Sequence, residues 1–199
     1  MNFLTKVTSA LVLTAGLASA SVYTLDAGHT NVGFSVKHLM ITNVKGDFKK
    51  YDATIDFDAA TKSFKVFKAN IDTASVNTGI EKRDNHLKSD DFFLSEKFPK
   101  MTFEMKSYEA NGDEGKMTGD LTIRGITKSV VLDVEDLATI KDFEGNTRVG
   151  FTLNGKINRM DYDLKWNKAL ELGGVAVSEE VKIIVDVQAK EKLKLSKKF

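Results

Sequence analysis

Apolar and polar residues alternate with a period of two along most of this chain, and no other feature so limits what it can fold into. Val32, Phe34, Val36 and His38 share one face of a segment whose other face carries Gly33, Ser35 and Lys37. The pattern recurs in Ala53, Ile55 and Phe57, in Met101, Phe103 and Met105, and in Met117, Gly119, Leu121 and Ile123. It continues in Val130, Leu132 and Val134, in Val149, Phe151, Leu153, Gly155 and Ile157, and in Val181, Ile183, Val185, Val187 and Ala189. Successive side chains of a strand point to opposite sides of a sheet, so each run predicts a strand with one dry and one wet face.

Turn residues stand between the runs: Asn111-Gly112-Asp113, Arg124-Gly125, Glu144-Gly145-Asn146 and Gly173-Gly174. Half-wet strands joined by short turns predict an antiparallel sheet. About eight strands of this kind can close into a barrel, which removes exposed edges. A two-sheet sandwich is the rival, but its strands are shorter. An outer-membrane barrel would put apolar residues outside. Here Asp56, Glu104, Asp120, Asp133, Lys182 and Asp186 lie mid-strand on the polar face, where lipid would not tolerate them. The apolar face therefore points inward. The fold expected is all-β, a single antiparallel barrel of about eight strands, interrupted by a short helical insertion near residues 80–91. Asn77 or Thr78 is its candidate cap, and Ala169 to Leu172 is a weaker candidate for a second helical turn.

The ends read differently. Lys6, the short apolar core Val7 to Leu17 and the small residues Ala18-Ser19-Ala20 match a cleavable signal peptide over residues 1–20. That apolar stretch is shorter than the roughly 20 residues a spanning helix needs. The expected location is the periplasm or the extracellular space, with no transmembrane segment in the mature chain. Cleavage would also remove Lys6 and balance the 29 basic against 28 acidic residues, which does not favour nucleic-acid binding. The absence of cysteine excludes thiol catalysis, cysteine-ligated zinc and iron–sulfur clusters. Lys190, Lys192, Lys194, Lys197 and Lys198 against Glu191 mark residues 191–199 as a basic, solvated tail.

A barrel of this size is either filled by side chains or leaves room for a ligand. Gly119 and Gly155 fall on the inward face and occupy little volume. Phe34, Phe103 and Phe151 with Met101, Met105 and Met117 would form a soft lining suited to a flexible hydrocarbon chain. The plain alternative is that the same residues simply make core.

Four stretches resemble the YceI family of exported, lipocalin-like lipid-binding proteins. They are D-A-G-H-T-N-V-G-F-S-V-K-H-L from Asp26, K-R-D-N-H-L-K-S-D-D-F-F from Lys82, G-D-L-T-I-R-G-I-T-K-S-V-V-L from Gly119 and G-K-I-N-R-M-D-Y from Gly155. Phe98-Pro99-Lys100-Met101-Thr102-Phe103 matches the family's link into the next strand. The resemblance covers nearly all of residues 22–189 and implies a YceI-like barrel domain over 21–190, with a homodimer plausible. It implies an apolar tunnel holding a polyisoprenoid, a quinone or a fatty-acid-type lipid, with no cofactor. The apolar lining expected is Val32, Phe34, Val36, His38, Met101, Phe103, Met105, Met117, Leu121, Phe151 and Leu153. The polar rim expected is Arg83, His86 and Arg159. One departure follows Asp161: the family often has phenylalanine and glycine, and this chain has Tyr162 and Asp163.

The polar residues keep more than one reading. His38 is either a core histidine with a backbone partner or a hydrogen-bonding group for a ligand's polar end. Arg83 and Asp84 either fasten the insertion to the barrel rim or, through Arg83, meet a headgroup. Arg159, among inward apolar residues, needs a carboxylate or a ligand oxygen, and Asp161 is its nearest candidate. His29, His38 and His86 with Asp84 or Asp90 are a conceivable zinc set without the local spacing of one. No nucleophile elbow, phosphate loop or paired carboxylates appear. The expected function is a non-enzymatic carrier of a long apolar lipid. The alternatives are a metal-dependent enzyme using the histidines, or a filled barrel acting through its surface.

Overall fold

The alternating runs are strands, and all of their pairings are antiparallel. The computed structural model describes residues 21–171 and 173–192, so the signal-peptide expectation and most of the basic tail lie outside the described residues. In chain order the strands are β1 (Ser21–Leu25), β2 (Asn31–His38), β3 (Thr42–Phe48), β4 (Tyr51–Asp58), β5 (Ser63–Asp72) and β6 (Val76–Asn77). Helix α1 (Glu81–Lys88) follows, then β7 (Lys100–Asn111), β8 (Glu114–Ile123), β9 (Ile126–Lys141), β10 (Thr147–Asn158) and β11 (Val177–Glu191).

Pairing runs β1–β4–β5–β7–β8–β9–β10–β11 and back to β1, a closed ring of eight strands. The remaining strands extend its wall at one end: β2 pairs with β11, β3 with β2 and β6 with β3. Thus β1 and β2 are one long strand broken at residues 26–30, and both halves lie along β11. Tyr23 faces Glu191 on one half, and Phe34 faces Ile183 on the other. The break is stitched to β11 through Gln188. The Asp26 amide donates to the Gln188 carbonyl at 2.8 Å, and the Gln188 amide donates to Thr30 Oγ1 at 3.2 Å. The Tyr51 hydroxyl adds a 2.5 Å bond to the Thr30 carbonyl.

Inward parity follows the alternation. Ile55, Phe57, Met117, Leu132, Val134, Val149, Leu153 and Val187 are buried, whereas Glu104, Asp120 and Asp133 face outward and pair with Lys68, Lys106 and Lys116 across strands. Such exposed pairs contribute little stability individually. The later strands are longer than their alternation suggests because bulges restore parity where it breaks. Between Met105 and Ser107 the register against β8 shifts, which returns Tyr108 to the inward face. A second shift, with Asp136 at φ 55°, lets β9 run to Lys141.

Helix α1 sits inside the insertion expected near 80–91. Its cap is Ile80, which makes no side-chain hydrogen bond. The Asp84 carboxylate instead reaches back to accept from the Thr78 amide (2.8 Å) and hydroxyl (2.5 Å). The second helical turn is not formed: Ala169 bridges Val175 as an isolated β-pair. Among the described residues, no helix is long and apolar enough to cross a membrane.

At the end of the barrel opposite α1, Arg148 joins two segments. Its Nε donates to Asp142 Oδ2 at 2.8 Å and its Nη1 to Asp26 Oδ2 at 2.7 Å, tying the β9–β10 hairpin to the break between β1 and β2. The Arg148 hydrogen bond outweighs burial and, with the amides of Asn146 and Glu144, lowers the Asp142 carboxyl to about 2. For Asp26, burial works upward, but hydrogen bonds from His29 and Arg148 bring it below its ordinary value. A carboxylate depressed in the folded state stabilises it fully above the unfolded pKa, and that contribution disappears as pH falls through the folded one. The Arg148→Met variant should therefore melt below the wild type at neutral pH. The gap between the two melting curves should narrow between about pH 4 and pH 2. A gap that stays constant across that window would count against this linkage.

Candidate functional site

The barrel is not uniformly filled. At the end where β1 pairs with β4, aromatic rings pack across the interior: Phe64 meets Phe57 at a tilt, 4.8 Å away, and Tyr108 and Phe151 edge to face at 5.0 Å and 4.9 Å. Phe67 continues the stack at 6.0 Å from Phe151 and 6.1 Å from Phe103. Beyond Phe67 and Phe103, toward α1, the interior opens into a cavity of about 600 Å³. That volume lies within the range of small-molecule sites, about 300–1,000 Å³.

Inward positions of the strands make its walls. Val32, Phe34, Val36 and His38 of β2 line it, as do Met101 and Phe103 of β7, Leu121 of β8 and Leu153 of β10. Val181, Ile183 and Val185 of β11 complete one side. Met105, Met117 and Phe151 do not line it. Met117 and Phe151 are core residues of the packed end, and Met105 packs against that core. The inward faces alternate along the full strand length, so parity identified these side chains as interior without placing them along the barrel axis.

The glycines also act differently from expectation. A Cβ on Gly119 would lie 2.4 Å from Phe103 Cζ and 2.7 Å from the Glu104 carbonyl oxygen. One on Gly155 would lie 2.6 Å from Leu132 Cδ2. The missing side chains create no empty space; neighbouring side chains fill it, as an aromatic ring commonly covers a cross-strand glycine. Gly119→Ala should cost about 1–3 kcal/mol through overpacking, measurable by urea denaturation. Stability equal to wild type would show that the Phe103 ring is free to move.

The mouth is covered by α1 and by the loops flanking β7 and β11. Leu87, Phe92 and Phe93 of the insertion line the cavity together with Trp166. The His86 ring stands edge-on to Phe92 at 5.1 Å and to Trp166 at 5.0 Å, joining the two loops. Arg124 fastens the insertion from the β8–β9 turn, its Nη1 donating to the carbonyls of Asp90 (2.9 Å) and Phe92 (2.7 Å). Neither Trp166 nor Arg124 was legible from periodicity, since both act outside a regular strand face. The chain's single tryptophan in a polar loop was the available signal.

The polar residues separate into fasteners and lining. Arg83 donates from Nε to Thr78 Oγ1 (2.7 Å) and from Nη2 to the Thr78 carbonyl (2.9 Å), while still lining the cavity. His86 lines it too, with Nε2 2.6 Å from Asp91 Oδ2. Arg159, only 3% exposed, has no carboxylate within ion-pairing distance among the described residues, Asp161 included, and feels Glu179 only as a more distant charge. It donates instead to three carbonyls, Ser178 at 2.8 Å, Val177 at 3.2 Å and Leu164. Burial pulls its pKa below the ordinary arginine value, yet a guanidinium stays charged. His38 lines the cavity and, contrary to the reading of a backbone-bonded core histidine, its ring has no hydrogen-bond partner among the described residues. His29 is bonded to Asp26 at 3.1 Å. Among the described residues no three His, Asp or Glu side chains are grouped to hold a metal ion.

The Tyr162-Asp163 pair has a structural account. Tyr162 is buried, and its hydroxyl has no hydrogen-bond partner among the described residues; burial pushes that group up to about 12. Asp163 has φ 62°, a conformation that glycine adopts without steric cost. The turn is thus shaped for a phenylalanine followed by a glycine. Replacing a buried, unpaired hydroxyl by hydrogen removes a desolvation penalty, so Tyr162→Phe should stabilise the fold by about 1 kcal/mol. A loss of stability in chemical denaturation would reveal a partner for the hydroxyl.

The YceI-like domain model matches residues 23–189. A crystal structure of a Campylobacter jejuni YceI protein has 48% sequence identity to this chain and superposes with a TM-score of 0.71, covering 86% of this chain and 98% of that one. A UPF0312 protein of Staphylococcus aureus is 42% identical over 161 residues, 80% of this chain and 92% of that protein. At 18% identity, the structure of a polyisoprenoid-binding domain from Saccharophagus degradans shares the fold, with a TM-score of 0.61 over 85% of this chain and 98% of that one. The chain belongs to the YceI family.

Proposed function

We propose that this chain is an exported binding protein, not an enzyme, that shields a long apolar lipid chain from water inside the barrel. The observation that carries this reading is the cavity: about 600 Å³, walled almost wholly by hydrocarbon and aromatic side chains, in a barrel whose other half is tightly packed. Each methylene moved there from water contributes about 0.8 kcal/mol. A dozen or so buried carbons would supply roughly 10 kcal/mol before the losses of rigid-body freedom that binding entails. The Saccharophagus degradans domain of the same fold is described as polyisoprenoid-binding, which makes an isoprenoid chain the first candidate, ahead of a quinone or a fatty-acid-type lipid. Residues 1–20 carry the pattern of an export signal, which supports a periplasmic or extracellular location.

The direct test is organic extraction of the protein purified from its native compartment, followed by mass spectrometry. One long-chain lipid per chain or per dimer is the expected result; a clean extract from folded protein would sink the proposal. Substitutions sharpen the test. Val36→Asp, at a half-buried lining position, should cut lipid retention at least about tenfold while the circular dichroism spectrum is preserved, since an unpaired charge is costly in an apolar site. Phe151→Asp, in the packed end, should instead unfold the protein. Undiminished lipid in folded Val36→Asp would place the ligand elsewhere.

A further inference from the structure

Among the described residues, five cavity-lining side chains carry a titratable group: His38, Lys82, Arg83, His86 and Arg159. All are basic. Among the described residues no aspartate, glutamate, serine, threonine, asparagine or glutamine lines the cavity, although the whole chain holds 28 acidic residues against 29 lysines and arginines. The cations are also poorly neutralised. No carboxylate lies within ion-pairing distance of Lys82, Arg83 or Arg159 among the described residues, and Lys82 makes no hydrogen bond. Asp91 pairs with His86, and the Asp84 carboxylate reaches Arg83 only through Thr78, whose hydroxyl donates to Asp84 and accepts from Arg83 Nε.

We propose that the cavity selects an acidic single-chain amphiphile, a carboxylate or phosphate on a long apolar tail, with its anionic head held by Lys82 and Arg83 at the mouth. This rests on the lipid-binding reading above and adds the charge of the head. Arg83 is suited to the task because Thr78 occupies its Nε and Nη2, fixing the guanidinium plane, and leaves Nη1 without an acceptor. The Lys82 ammonium, one residue earlier in the first turn of α1, offers three free donors. Arg159 has each of its nitrogens bonded to a carbonyl, so it contributes charge rather than a direct contact. Apolar walls strengthen this field relative to water. A neutral alcohol or quinone head would also accept from these donors or from the Trp166 indole N–H, but only an anion gains from the net positive charge as well.

The test compares matched probes on the delipidated full chain: palmitic acid against hexadecanol, and geranylgeranyl phosphate against geranylgeraniol, each below its micelle concentration. The anionic member of at least one pair should bind about tenfold to a hundredfold more tightly, the span of a charge-assisted hydrogen bond. The pair showing the larger preference identifies the head as carboxylate or phosphate. The preference should fall in Lys82→Gln and in Arg83→Gln and survive in Arg83→Lys. The quantity read is the ratio of acid to alcohol affinity within each variant, and circular dichroism reports that each variant is folded. Equal affinity for acid and alcohol in the wild type, or a preference intact in the Lys82→Gln, Arg83→Gln double variant, would overturn the head-group assignment and leave the lipid-binding reading standing. Failure of all four probes to bind would overturn that reading itself.

Discussion

Closure of the barrel rests on β11. It is the only strand that pairs with both halves of a broken neighbour, β1 at its end and β2 along its beginning, while β10 follows its other edge for eleven residues from Asn158 to Arg148. Without that seam the sheet would have two unpaired edges, a liability for any long antiparallel sheet. The break opposite Gln188 is held by several bonds at once: the Asp26 amide, Thr30 Oγ1 and, from the neighbouring strand pair, Tyr51. Arg148 then locks the same corner by charge. The Asp26-to-Thr30 segment, which opens the first of the stretches that carry the family resemblance, is therefore part of the closure, and His29 belongs to it through Asp26.

Closure at that end permits a cavity at the other. Cavity walls lack protein side chains packed opposite them and so forgo protein–protein dispersion contacts, and the fold gains its cohesion elsewhere. It does so in the packed half, where Ile55, Phe57, Met117, Val134 and Val149 are shielded from solvent and the Phe64 ring meets three other rings. Phe67 and Phe103 belong to both halves, being members of the core and lining of the cavity. They set the depth that a ligand can reach.

Strand identity and inward parity were legible because burial on one side of a pleated sheet imposes a two-residue period directly on the chain. Position along the barrel axis was not, because Phe34 and Phe151 obey the same period yet face empty and filled interior respectively. Breaks in parity were equally invisible: the bulge after Met105 leaves no residue signature, and the Leu39-Met40-Ile41 turn has no glycine or asparagine. That turn places Leu39 and Met40 at φ 50° and 62°, held by the pairing of His38 with Thr42 and by the Leu39 amide on the Ala176 carbonyl. Tertiary pairing there overrides the local preference of the residues. Gly119 misled because a residue without a side chain says nothing about which neighbour occupies its space.

The residues that make the family resemblance visible are largely those that hold turns and covers in place. Asp26 anchors the seam, Asp84 and Arg83 secure Thr78, Arg124 ties down the insertion, and Arg159 gathers the carbonyls of the loop before β11. Each needs a specific geometry, so each demands a specific residue type. The cavity wall makes no such demand, since any apolar side chain of suitable volume on the inward face would serve. Architecture is thus written in polar residues and ligand choice in interchangeable apolar ones. Arg83 combines the two: Thr78 holds its Nε and Nη2, and its charge stands at the cavity mouth, where we propose that a ligand's head is met.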